Sequence, residues 1–241
     1  MKITNRLVCS LAIVALVLMV GTASAQQKGK GGFRGGGGGF GGFGNSLVTL
    51  AGIEAVQKDL GVSSDTVSKL NSLRDDLNAA RQKEYQSAGI NPQDFQNISA
   101  DQRQKMNEIG TKLNDEFNPK LKGIVSADQY KRLQQISLQS GLRNQGPTAL
   151  LAPDVSSELK LTDDQRQKLN ALNMEFTQKQ RDLFTGGGFD QAAFTKLRDE
   201  RTSKTMEVLT GEQKETLTKL KGSEFDVSQL GFGAGRRGKG N

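Results

Sequence analysis

The sequence predicts an all-α protein built from two copies of one helical unit, with disordered Gly-rich ends. Three observations carry this. Apolar residues recur at spacings of three, four and seven through the middle of the chain, which marks a stripe along one face of a helix. A nine-residue phrase returns along the chain: ISADQRQKM from Ile98, VSADQYKRL from Val125, LTDDQRQKL from Leu161 and LTGEQKETL from Leu209, with a weaker copy, VSSDTVSKL, from Val62. No stretch of four or more residues alternates convincingly between apolar and polar, so almost no β-strand is expected.

The first 25 residues read as a secretory signal peptide. Lys2 and Arg6 precede an almost wholly apolar run from Leu7 to Val20, and TASA ends at Ala25 with small residues where a signal peptidase needs them. The run is short for a membrane span, so cleavage after Ala25 and export, to the periplasm or beyond, are expected. Cys9, the only cysteine, lies inside the apolar run and leaves with it. The exported chain is then expected to carry no thiol, no disulfide and no transmembrane segment.

Residues 26–46 and 231–241 are dense in glycine. Glycine loses much backbone entropy on ordering and buries little in return, so both stretches are expected to be disordered. The first matches GxGxxG by composition alone, with no preceding strand and no following GK[ST]. Its Arg, Phe and Gly mixture is also found in RNA-binding tails, but an exported chain meets little RNA. The charge supports the same reading. The whole chain has 33 basic and 26 acidic residues. Eight of the basic ones (Lys2, Arg6, Lys28, Lys30, Arg34, Arg236, Arg237 and Lys239) lie in the leader and tails, which leaves 25 against 26 in the centre. The basic balance belongs to the ends, so no folded nucleic-acid-binding face is expected.

Between the tails the stripes run through Val67, Leu70, Leu73 and Leu77, then through Met106, Ile109, Leu113, Phe117, Leu121 and Ile124, then through Leu169, Leu172, Phe176 and Leu183. The region also repeats. VQKDLGVSSDTVSKLNSL from Val56 aligns with VSSELKLTDDQRQKLNAL from Val155, and the phrase at Val125 aligns with that at Leu209. Residues 47–146 and 147–230 are therefore read as two helical units, joined at SGLRNQGP, which ends at Pro147.

The phrase itself is helix punctuation. Its caps are Ser63, Ser99, Ser126, Thr162 and Thr210, and three residues later stand Thr66, Gln102, Gln129, Gln165 and Gln213. Four of the five pairs fit a capping box, in which the hydroxyl accepts from the third helical N–H and the glutamine returns to the cap N–H. Only the pair with Thr66 departs. An acid follows each cap by two residues (Asp65, Asp101, Asp128, Asp164, Glu212), where it suits the positive end of the helix dipole. Seven residues after each cap stands Leu70, Met106, Leu133, Leu169 or Leu217, so the phrase also fixes the inward face. GFDQAAFTKL is read as a sixth, eroded copy with Asp190 as cap and Leu197 facing inward.

Much chemistry is excluded. There is no histidine and no tryptophan. Ser/His/Asp triads, Cys/His pairs and zinc or copper sites on His or Cys cannot be built. No Asp-rich loop has calcium-binding spacing. Asp75–Asp76 and Asp199–Glu200 lie beside arginines and read as solvated helix faces. The NIS sequon at Asn97 uses Ser99, already a cap. Neither an enzyme nor a cofactor is expected.

LTDDQ at Leu161 and LTGEQ at Leu209 match the motif of the LTxxQ family of Spy- and CpxP-like periplasmic proteins in full. ISADQ and VSADQ match it conservatively and VSSDT in part, so the chain resembles that family over about residues 47 to 225. The resemblance implies an all-α fold of extended antiparallel helical hairpins that pair into a cradle-shaped dimer, and an ATP-independent chaperone of the envelope whose partners are unfolded or partly folded clients. It also implies two alternatives: a soluble regulator that restrains an envelope sensor kinase through its sensor domain, or a metal-responsive or structural envelope protein. The chain departs from the family in holding two units in tandem, so one chain would imitate the dimer, and both monomer and homodimer stay open. It departs again in lacking histidine, which counts against zinc binding.

Overall fold

The computed structural model describes residues 46–91, 98–185 and 190–231, and among them there is helix, turn and loop but no strand. The expected leader, nearly all of both glycine-rich stretches and Asn97 lie outside the described residues. The first unit runs α1 (Leu47–Ala51), α2 (Glu54–Asp59), α3 (Ser64–Ser87), α4 (Ala100–Lys122) and α5 (Ala127–Asn144). The second repeats the order with α6 (Pro147–Leu150), α7 (Pro153–Glu158), α8 (Asp163–Thr185), α9 (Gln191–Glu207) and α10 (Gly211–Lys221), followed by a 3-10 turn, Val227–Leu230. In each unit two short helices precede a long antiparallel hairpin, α3 with α4 and α8 with α9. The expected joint is shorter than SGLRNQGP, because α5 continues through Asn144. Only Gln145 and Gly146 turn the chain, Gly146 with φ 63°, before Pro147 starts α6.

The helices form where local chemistry starts them and stay where their stripes are buried. The seventh residue after each cap is buried in all five copies: Leu70, Met106, Leu133, Leu169 and Leu217. The tenth is buried in three, Leu73, Ile109 and Ile136. Its counterparts in the second unit, Leu172 and Leu220, are only partly covered. In the first hairpin Tyr85, Ile90, Ile98 and Met106 are buried and belong to the same core as Leu70 and Leu121. Burial there pushes the Tyr85 hydroxyl up to about 12, with Arg81 opposing.

The two cores are completed by exchange. The first, around Leu50, Val56, Leu70, Leu121, Leu133 and Ile136, also takes Phe225 and Leu230 from the far end of the chain. The second, around Leu150, Leu159, Leu169, Leu209 and Leu217, also takes Leu138, with Leu142 packed against it. The central helix α5 therefore serves both cores. Its first half faces the first and its second half the second, and α10 packs alongside it.

Candidate functional site

The repeated phrase is the natural place to look for a site, and its residues are brought together in space. Each cap hydroxyl takes the expected N–H: Ser63 from Thr66 at 3.3 Å, Ser99 from Gln102 at 3.1 Å, Ser126 from Gln129 at 3.2 Å, Thr162 from Gln165 at 3.2 Å and Thr210 from Gln213 at 3.3 Å. The four glutamine side chains return to the cap N–H at 3.0, 2.9, 3.1 and 3.0 Å. Thr66 instead places its hydroxyl 3.0 Å from that of Ser63. Asp190 caps α9, accepting from the N–H groups of Ala192 and Ala193, while Leu197 is only partly buried.

The glutamines do more than cap. In the second unit the starts of α8 and α10 meet. The Gln165 amide donates to Gln213 Oε1 at 2.7 Å and to the Val208 carbonyl at 2.9 Å. Gln213 reciprocates, donating to Gln165 Oε1 at 2.9 Å and to the Leu159 carbonyl at 3.0 Å. Each half-buried carboxamide thus ties one helix start to its neighbour and to the residue that ends a preceding helix. The first unit has half of this clasp. Gln129 donates to the Leu60 carbonyl at 3.1 Å, the counterpart of Gln213 to Leu159. Thr66 stands where the second amide would be, and it is too short to reach across.

A different device closes that corner of the first unit. Arg132 of α5 grips Asp59 at the end of α2 with two bonds, 2.7 and 3.0 Å, and donates to the Ser223 carbonyl at 2.6 Å. Both charged side chains are largely covered, at 17% and 25% exposure, so the pair is better shielded than a surface ion pair. Arg201 of α9 lies over Gly146 and donates to the Arg143 carbonyl at 2.8 Å, which places a cation at the negative end of α5. Arg132 and Arg201 were not legible as functional, since each is one of many arginines until the fold places it.

The second hairpin carries the more open surface. Its main core reaches Leu169 on α8, with Met206 of α9 packed against it, and Phe176 is buried further along α8. Beyond that, Leu172, Leu183, Phe194 and Leu197 are only partly buried. Glu175 and Lys179 of α8 interlock with Glu200 and Lys204 of α9 in a ring of ion pairs of 2.9 to 3.3 Å. Both ammonium groups lie over the buried Phe176 ring, at 5.1 and 5.7 Å. Hydrogen bonds from the lysines lower both carboxyls, and those from the glutamates raise both ammonium groups. Met174 is 73% exposed but points away from this stripe, two residues from Phe176 on the opposite side of the helix.

Set against protein-family models, curated proteins and solved structures, the chain matches none. The site must therefore be judged on its chemistry. No group of three or more acids gathers to hold a metal among the described residues, nor is any helix among them long and apolar enough to cross a membrane. The motif residues hold the helix starts in register. What the surface offers is apolar area bordered by paired charge, which is suited to weak contact with another chain.

Proposed function

We propose that this chain is an exported helical binding protein that holds partly folded proteins without ATP. The observation that carries the proposal is the half-covered stripe of the second hairpin, Leu172, Leu183, Phe194 and Leu197, beside a ring of alternating charge. In the first hairpin the counterparts of Leu172 and Leu197, which are Leu73 and Met106, are buried, so their exposure belongs to the second copy and not to the repeat. A shallow apolar strip with a charged border binds exposed apolar segments weakly and lets them go once they fold. The resemblance of the repeated phrase to the LTxxQ motif supports the same reading, as does the leader expected over residues 1–25.

The test is light scattering from a reduced, aggregating model protein, with this chain added from substoichiometric to equimolar ratios. Suppression that weakens when Leu172 and Leu197 are both changed to Ser supports the proposal. Unchanged scattering across the whole range rejects it.

A further inference from the structure

The end of the described chain departs from the repeat. After α10, Gly222 turns with φ 61°, and the chain runs as a strap that finishes in the 3-10 turn Val227–Leu230 and at Gly231, φ 69°. The strap lies on the first unit, against α2 and α5. Two anchors hold it: Phe225 and Leu230, five positions apart, are buried in the first core, with Val227 partly so. Ser223, Glu224, Asp226, Ser228 and Gln229 between and around them are exposed.

Two α5 side chains hydrogen-bond the strap to the body. Gln139 donates to the Lys221 and Ser223 carbonyls, both at 2.8 Å, and accepts from the Phe225 N–H at 2.8 Å. Arg132 holds the Ser223 carbonyl. The matching contribution to the second core, Leu138 and Leu142, comes from continuous helix, which cannot leave without unwinding. The strap can leave by rotation at Gly222. Segments with few buried contacts and no backbone ladder to the body are the first to open.

We propose that the strap is a resident occupant of an apolar groove between α2 and α5, and that the lifted groove takes a segment of another chain with the same chemistry. That segment has an aromatic residue flanked by acids, and an aliphatic residue five positions on that closes a 3-10 turn. The acids follow from charge. Glu224 and Asp226 flank Phe225, and the Asp226 carboxyl is lowered first by hydrogen bonds from Ser228 and Gln229 and then by the charge of Arg143 on α5. This deepens the holding reading and rests on it for the groove being offered to foreign chains. The tether makes the strap a local competitor, so a free segment binds weakly until the anchors are removed.

Fluorescence anisotropy tests this, with a labelled peptide of residues 222–231 and the full chain. The double variant Phe225→Ala, Leu230→Ala should bind the peptide about tenfold tighter than the unaltered chain does. A peptide lacking the phenylalanine and leucine should not bind. No binding by a variant that keeps its helical circular dichroism overturns the proposal, as does equal binding of the two peptides. If the variant loses helix, hydrogen exchange on the unaltered chain decides. The Phe225 and Gln229 amides should exchange at least about tenfold faster than those in the middle of α5, and equal protection overturns the proposal. Peptide binding without aggregation suppression would reject the holding reading alone, and suppression without peptide binding would reject the strap alone.

Discussion

Thr66 is the residue at which the two units differ most usefully. The phrase marked it as the one pair without a glutamine, and the fold shows what that glutamine would do. Thr66→Gln should complete the amide pair with Gln129 and reach the Ile124 carbonyl, the counterpart of Val208. The expected gain is about 1 kcal/mol, the net worth of a hydrogen bond that replaces water. Urea unfolding checks it, and an unchanged midpoint would contradict the clasp. Gln213→Ala removes three bonds to Gln165 and Leu159 and its own capping bond, and should cost about 2 kcal/mol. Gly222→Ala should also destabilise, by about 1 kcal/mol or more, because its φ is 61° and an added Cβ would meet the Gln135 side chain. The caps were legible because their bonds are local, within three residues. The cross-clasp was not, because it joins residues 48 apart in sequence.

At the scale of the element, the two hairpins share a plan and differ in closure. The α8–α9 hairpin is held across its middle by the ring of Glu175, Lys179, Glu200 and Lys204, with Phe176 beneath. The sign of its pH dependence follows from the shifts. The carboxyls are lowered in the folded chain, so their contribution is complete above their ordinary 4.5 and is lost as pH falls through the depressed values. The ammonium groups are raised, so theirs is complete below 10.5 and is lost as pH rises through the raised values. Between pH 5 and pH 3 the melting temperature of the unaltered chain should fall further than that of the double variant Glu175→Gln, Glu200→Gln. Equal falls would show that the ring adds nothing. The long helices and their stripes were readable from periodicity alone. That the second stripe stays half covered was not, since Leu172 follows its cap by the same ten residues as Leu73. Only packing decides which of them is sealed.

For the whole molecule, the sequence divides at Pro147 but the cores do not. Leu138 and Leu142 from the first unit serve the second core, and Phe225 and Leu230 from the second serve the first. Such an exchange is invisible to periodicity, because an inward position does not say whose interior it enters. Truncating Leu138 to Ala should cost about 3 kcal/mol, within the usual range for a buried leucine, and should loosen both units in hydrogen exchange. The internal repeat predicted two similar bodies, and the structure joins them through α5 into one. Cutting the chain between Asn144 and Pro147 tests that claim most directly, by circular dichroism melting of the pieces 46–146 and 147–231. Neither piece alone should melt cooperatively, and mixing them should restore the helical signal and a single transition. A first piece that melts cooperatively by itself, unchanged by the second, would contradict the account.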